Sequence, residues 1–232
     1  MLAVYAAGER GAREAARNGA AVVVVDVFRA STTVAILVRK GARVVPVASV
    51  EEAFGHAGAD YRVGERGGTT VSGFDFGNSP TELEGSELAA GATVILTTTN
   101  GTRVIQAARG APAILAGAFV NAHAVADELA TGASGARVAV VGCGWEGHRA
   151  SEDESAAGAI LRRLRDRGAE LDERAERIVS LYLARPKKAL RGNKAARRLK
   201  RLGYEKDLDF CLAENTVPVV PRLEKGAFVG QK

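Results

Sequence analysis

Two cysteines, three histidines and one methionine are all that the 232 residues hold of those types, and no apolar run approaches the ~20 residues that cross a bilayer. Cys143 and Cys211 stand in no CxxC pair, which excludes a zinc ribbon and a disulfide scaffold and points to a reducing compartment. His56, His123 and His148 lie in unrelated segments without metal-ligand spacing. The N-terminal stretch MLAVYAAGERGAR lacks a basic region followed by a long apolar core, so neither export nor membrane insertion is expected, and the chain reads as cytoplasmic. Aromatic residues are sparse, and 32 basic residues against 27 acidic ones give a net charge of only +5. That balance suits a small anionic ligand and gives no reason to expect nucleic acid. A homo-oligomer is compatible with all of this.

What the chain does have is alternation of short β-branched runs with helical stretches. Residues 21–25, AVVVV, are unbroken apolar and mostly β-branched, the signature of a central strand buried on both faces. Strands are also expected at 2–6, 43–47, 61–64, 92–96, 112–116 and 137–141, with helices at 9–18, 31–40, from the Ser49 cap, 80–83, 103–109 and 121–130. Strand, loop and helix in repeated succession predict an α/β fold, a layered α/β/α arrangement around a mainly parallel or mixed sheet. After residue 151 the pattern turns helical, at 152–168, 172–184 and a strongly basic 185–201. Residues 217–220, flanked by prolines, read as a late edge strand. One compact unit over 1–232 is expected, with at most a weak subdivision near residue 110.

Four loops at the carboxyl ends of these strands would converge on one sheet edge, where open α/β sheets hold their ligands. The first carries Asp26 at the end of the buried strand, then Arg29 and the hydroxyls of Ser31, Thr32 and Thr33 at a helix start. The third, residues 97–102 (TTTNGT), joins Thr98, Thr99 and Thr102 to an Asn100-Gly101 turn able to cradle an anion. The second, residues 65–82, and the fourth, 142–153, supply carboxylates: Glu65, Asp75, Glu82, Glu146, Glu152 and Asp153. Carboxylates for Mg²⁺ beside hydroxyls, amides and an arginine for phosphate add up to a metal-dependent phosphoryl site. Each element also has a plainer reading, Asp26 and Thr102 as helix caps and Glu152 and Asp153 as charges suited to a first helical turn.

Two other chemistries compete. Cys143 and Arg149 have the Cys-x5-Arg spacing of cysteine phosphatases, with bulky Trp145 and acidic Glu146 set against a phosphate there. A non-catalytic protein that binds phosphate or a phospho-acid would need the same anion cradle and no metal. The basic stretch 185–201 lacks interleaved aromatics; it reads as a solvated face or as a source of positive potential for acidic substrates.

Taken together, DVFRASTT at 26–33, ERGG at 65–68 with GFDFGNSPTE at 73–82, TTTNGT at 97–102, and GCGWEG at 142–147 followed by SEDE at 151–154 resemble the 2-phosphosulfolactate phosphatases, the ComB family. The likeness spans about residues 20–230. It implies an α/β fold and a Mg²⁺-dependent phosphoric monoester hydrolase that releases phosphate from 2-phosphosulfolactate in coenzyme M biosynthesis. Phe28 and Ser31 stand where the motif leads one to expect leucine and threonine. On this reading Asp26, Arg29 and Asn100 are the catalytic candidates. Ser31, Thr32, Thr33, Asn78, Ser79, Thr98, Thr99, Gly101 and Thr102 are the phosphate- and substrate-binding candidates. Asp26 with Glu152 or Asp153 would hold the metal, Glu65 and Asp75 being the alternates. Either Asp26 or a water is the nucleophile; the missing second acid of a DxD pair, Phe28 in this chain, makes an aspartyl-phosphate less attractive.

Overall fold

The computed structural model describes residues 1–131, 136–145 and 147–230; Glu146 lies outside them. Eleven strands of these residues form one mixed sheet: β1 (Leu2–Ala7), β2 (Ala21–Val25), β3 (Arg43–Pro46), β4 (Tyr61–Arg66), β5 (Thr69–Thr70), β6 (Thr93–Thr97), β7 (Ile114–Gly117), β8 (Arg137–Gly142), β9 (Glu170–Leu171), β10 (Pro221–Glu224) and β11 (Ala227–Gly230). Their spatial order is β5-β4-β6-β3-β11-β10-β7-β2-β8-β1-β9. Two blocks, β4-β6-β3 and β7-β2-β8-β1-β9, are parallel within themselves.

Alternation along the central strands decides the layers, because successive side chains of a strand point to opposite faces. Val23, Val25, Val138 and Val140 face one core with α6 (Ala122–Ala130), α7 (Ser151–Asp166) and α8 (Glu173–Ala184). Val22, Val24, Ala139 and Val141 face the other with α1 (Gly8–Arg17), α2 (Ala30–Arg39), α4 (Pro80–Gly85) and α5 (Gly101–Ala107). The short α3 (Val50–Gly55) lies over the far block, where Ala53 packs on Ile95. In α2 every residue from Ala30 to Val38 is buried, so the helix after Asp26 has no solvent stripe at all.

The C-terminal strands correct the expected edge strand at 217–220. Residues 221–230 instead form a hairpin in the middle of the sheet, joined to β7 through Arg222 opposite Leu115 and to β3 through Phe228 opposite Val44. Pro221 is tolerated as the first residue of its strand, where a missing N–H does least harm. Lys225 and Gly226 turn the hairpin with φ of 48° and 85°, the pair of positive values a tight two-residue hairpin requires. The basic stretch 185–201 also breaks, at Gly192, into α9 (Lys187–Leu190) and α10 (Lys194–Arg201), the second capped by Asn193 Oδ1 accepting from Ala196 N at 2.8 Å. One further helix, α11 (Glu205–Leu212), had no expectation attached. It buries Asp207 among Leu208, Cys211 and Leu212, and that charge on the inner face hides the apolar period.

Candidate active site

A cavity of about 600 Å³ opens where β2, β4, β6 and β8 end. Asp26, Glu65, Asn78, Thr98, Thr99, Asn100 and Glu152 line its inner part, Arg29 and Phe28 one side, and Trp145, His148, Arg149 and α10 its mouth. The ends are drawn close because glycine is used where they meet. A Cβ at Gly101 would fall 2.7 Å from Ala30 Cβ and 2.9 Å from Asp26 Oδ2. Only hydrogen at that position lets α5 start against the Asp26 carboxylate.

Asp26 is held from both ends of its turn. Its Oδ1 accepts from Ala30 N at 3.1 Å, and its own N–H donates to Ser31 Oγ at 3.0 Å. The peptide joining Phe28 to Arg29 is cis. Burial pushes the Asp26 carboxyl up to about 7, the Ala30 N–H opposes this, and the charges of Glu65 and Glu152 add to the rise. Burial likewise raises Glu152, whose Oε2 accepts from Asn193 Nδ2 at 2.7 Å. These acids repel one another in a low-dielectric pocket, an arrangement that favours either shared protons or a bound cation.

The remaining candidates divide into those that face the cavity and those that build its walls. Asn78 is 3% exposed, and its Oδ1 has no partner among the described residues; neither does Thr99 Oγ1. Both residues line the cavity, and a buried acceptor without a donor calls for a ligand, water or ion. Glu65 bridges two loops, accepting from Gly68 N at 2.5 Å and Thr99 N at 2.7 Å. Ser31, Thr32, Thr33, Ser79, Gly101, Thr102 and Asp153 are buried and are not among the residues that line the cavity. Ser31 Oγ donates to Val24 O and Thr32 Oγ1 to Val27 O; Thr102 Oγ1 donates to Thr98 O. Thr33 Oγ1 is buried without a partner among the described residues. Asp153 ties two loops together, Oδ1 accepting from Val27 N and Oδ2 from Gly144 N, both at 2.9 Å. Asp75 is exposed, is not among the cavity-lining residues, and accepts from Arg62 N at 2.7 Å.

Sequence reasoning passed over Asp207, which fixes Arg29. Fully buried, it accepts from Arg29 Nη1 at 2.7 Å, Ser79 Oγ at 2.8 Å and Thr81 Oγ1 at 2.6 Å. Arg29 Nη2 donates to Gly68 O at 3.0 Å, and the guanidinium lies 4.2 Å from the centroid of the Tyr204 ring. Arg29 is thus an ion-paired fixture whose remaining donors are held in place at the cavity wall.

Cys143 does not meet the needs of a thiolate nucleophile. Its side chain is buried and off the cavity lining, and burial, then Asp26 and Asp153, push the thiol well above its usual range. Arg149 is paired with Glu154. Cys143→Ala is therefore expected to release phosphate within about twofold of the parent rate, and the folded parent to survive thiol alkylation; inactivation by either would restore the cysteine route.

For Mg²⁺, no three His, Cys, Asp or Glu side chains among the described residues stand close enough to form a cage. The ion does not need one, since it takes one or two carboxylates and keeps waters. Asp26, Glu152 and the unpartnered Asn78 Oδ1 are oxygen donors of that kind. Among the described residues no helix is long and apolar enough to cross a membrane.

The family model described as 2-phosphosulpholactate phosphatase matches residues 7–226. The chain is 40% identical over 208 residues to a protein of Gloeobacter violaceus, with 86% of each chain covered. It is 39% identical over 219 residues to one of Carboxydothermus hydrogenoformans, covering 90% of this chain and 89% of the other. A Thermotoga petrophila protein is 38% identical over 213 residues, covering 89% and 90%. Each of the three is named a probable 2-phosphosulfolactate phosphatase. With four loop motifs meeting at one cavity and a match that runs almost end to end, this chain belongs to the 2-phosphosulpholactate phosphatase family.

Proposed function

We propose that the chain hydrolyses the phosphate monoester of 2-phosphosulfolactate, giving sulfolactate and inorganic phosphate, in the cavity at the ends of β2, β4, β6 and β8. The observation that carries this reading is Asp26: a carboxyl raised to about 7 among other acids, against the start of α5, in a cavity also lined by Asn78, whose buried amide oxygen has no partner among the described residues. Phosphoryl transfer asks mainly for in-line positioning and for charge placed around the equatorial oxygens. Arg29, Thr98, Thr99 and Asn100 supply donors for those oxygens, and the Asp207 pair keeps Arg29 from swinging away. Asp26 and Glu152, with Asn78 Oδ1, would hold Mg²⁺. When bound, that ion neutralises charge on the phosphoryl group. Asp153 and Glu65 act indirectly, by holding the loops that bear these groups.

The test is phosphate release from 2-phosphosulfolactate and from 2-phospholactate by the purified chain, with Mg²⁺ and with EDTA. Release that needs Mg²⁺ and prefers the sulfonate is the expected result. No release from either substrate, with inorganic phosphate still bound, would replace the enzyme by a binding protein.

A further inference from the structure

The cavity's positive charges are not equivalent. Arg29 is neutralised by Asp207 and Arg149 by Glu154. Lys194, Arg198 and Arg201, which also line the cavity, pair with no carboxylate among the described residues. Their spacing of four and three places them on one face of α10. On the other side of the same helix Lys200 pairs with Glu205 at 3.3 Å, and neither it nor Arg197 lines the cavity.

This face of α10 is held in register. Asn193, the α10 cap, donates to Glu152 Oε2 and Ser151 Oγ, tying the helix start to the acidic end of the cavity. Ala196 and Leu199 pack with Leu208, Phe28 and Tyr204, tying its middle to the turn that carries Arg29. Lys194 Nζ and the Arg198 guanidinium lie 4.8 and 5.1 Å from the Trp145 ring centroid, and Arg198 donates to Gly67 O. The cavity is therefore bipolar, acidic at Asp26, Glu65 and Glu152 and basic along one helical wall.

Resting on the phosphatase reading above, we propose that this face of α10 binds the acid end of the substrate, the sulfonate and carboxylate of the three-carbon chain, while the loop side takes the phosphoryl group. Lys194, Arg198 and Arg201 are specificity-determining residues, and they select against phosphate esters whose alcohol carries no anion. A compact molecule with three anionic groups needs both poles, because the acid end would be repelled by the carboxylates that serve the phosphoryl end.

The deciding experiment is calorimetric binding of sulfolactate, which has the acid end and no phosphate, to the full chain in Mg²⁺ buffer. The parent is compared with Lys194→Ala/Arg201→Ala, the inner pair, and with Arg197→Ala/Lys200→Ala, the outer pair, which removes equal charge from α10 positions that do not line the cavity. The inner pair is expected to weaken binding at least about tenfold and the outer pair less than about twofold. In turnover, the inner pair should raise KM for 2-phosphosulfolactate by about the same factor and keep kcat within about threefold. Parent that fails to bind sulfolactate, inner-pair protein that binds it like the parent, or equal losses in both variants would each overturn the proposal. A parent that binds sulfolactate and loses it with the inner pair, yet releases no phosphate from any ester, would refute the phosphatase reading and leave the anion site standing.

Discussion

Asp26→Asn is expected to lower phosphate release by roughly 10³-fold or more while making the metal-free protein more stable. The substitution is nearly isosteric, and the new amide oxygen can still accept from Ala30 N, so the turn survives. What disappears is the negative charge that the site concentrates beside Glu65 and Glu152. In the folded chain this carboxyl sits at about 7 against an ordinary 3.8, so the folded state prefers it protonated. Its contribution to stability is complete below the unfolded value and disappears as pH rises through 7. The parent should therefore lose stability relative to the variant between about pH 4 and pH 8, by up to roughly 4 kcal/mol in EDTA if the rise were felt in full. Thermal unfolding of both proteins at pH 4.5 and pH 8 reads this directly. Mg²⁺ should narrow the gap at pH 8, since a ligand bound by the parent alone stabilises the parent alone. Equal turnover in the two proteins would remove Asp26 from the chemistry, and a gap that shrinks as pH rises would contradict the burial argument.

Asp207→Ala should cost about 3–5 kcal/mol of folding stability, because it strands the buried Arg29 charge and removes the acceptor of four donors. For a chain of this length that is a fall of roughly 10 °C in Tm, and activity should fall with it as Arg29 loses its anchor. Replacing both partners, Arg29→Met with Asp207→Leu, should recover most of the stability, since an apolar pair of similar volume is often as stable as a buried ion pair. It should not recover turnover, because the guanidinium at the cavity wall is gone. Unfolding measured by circular dichroism, beside phosphate release, separates the two effects. A single Asp207→Ala variant as stable as the parent would mean that the Arg29 charge finds water, and that the knot between α4, α11 and the Asp26 turn is not holding the site.

Much of this molecule could be read from local chemistry. The AVVVV run forms an interior strand between β7 and β8 within its expected bounds, since a short β-branched stretch without polar interruption has no stable place except between two covered faces. Asp26, Thr98, Asn100 and Glu152 reach one cavity because each follows the end of a parallel strand. The alternation of strand and helix was enough for the layered class, and the loop motifs were enough for the family.

Other features were decided only in three dimensions. Whether a hydroxyl or carboxylate after a strand faces a ligand or braces a neighbouring loop depends on which backbone N–H groups arrive from elsewhere. Asp153 meets Val27 and Gly144, while Glu152, one residue before it, faces the cavity. Asp207 is 178 residues from Arg29, so no sequence window could pair them. The β10–β11 hairpin occupies the middle of the sheet because two parallel blocks leave a gap that an antiparallel pair can bridge, a fact of assembly and not of strand propensity. Local sequence determines which elements form, through side-chain periodicity and turn geometry; long-range hydrogen bonds and buried charge pairs decide which of their polar groups remain free to act.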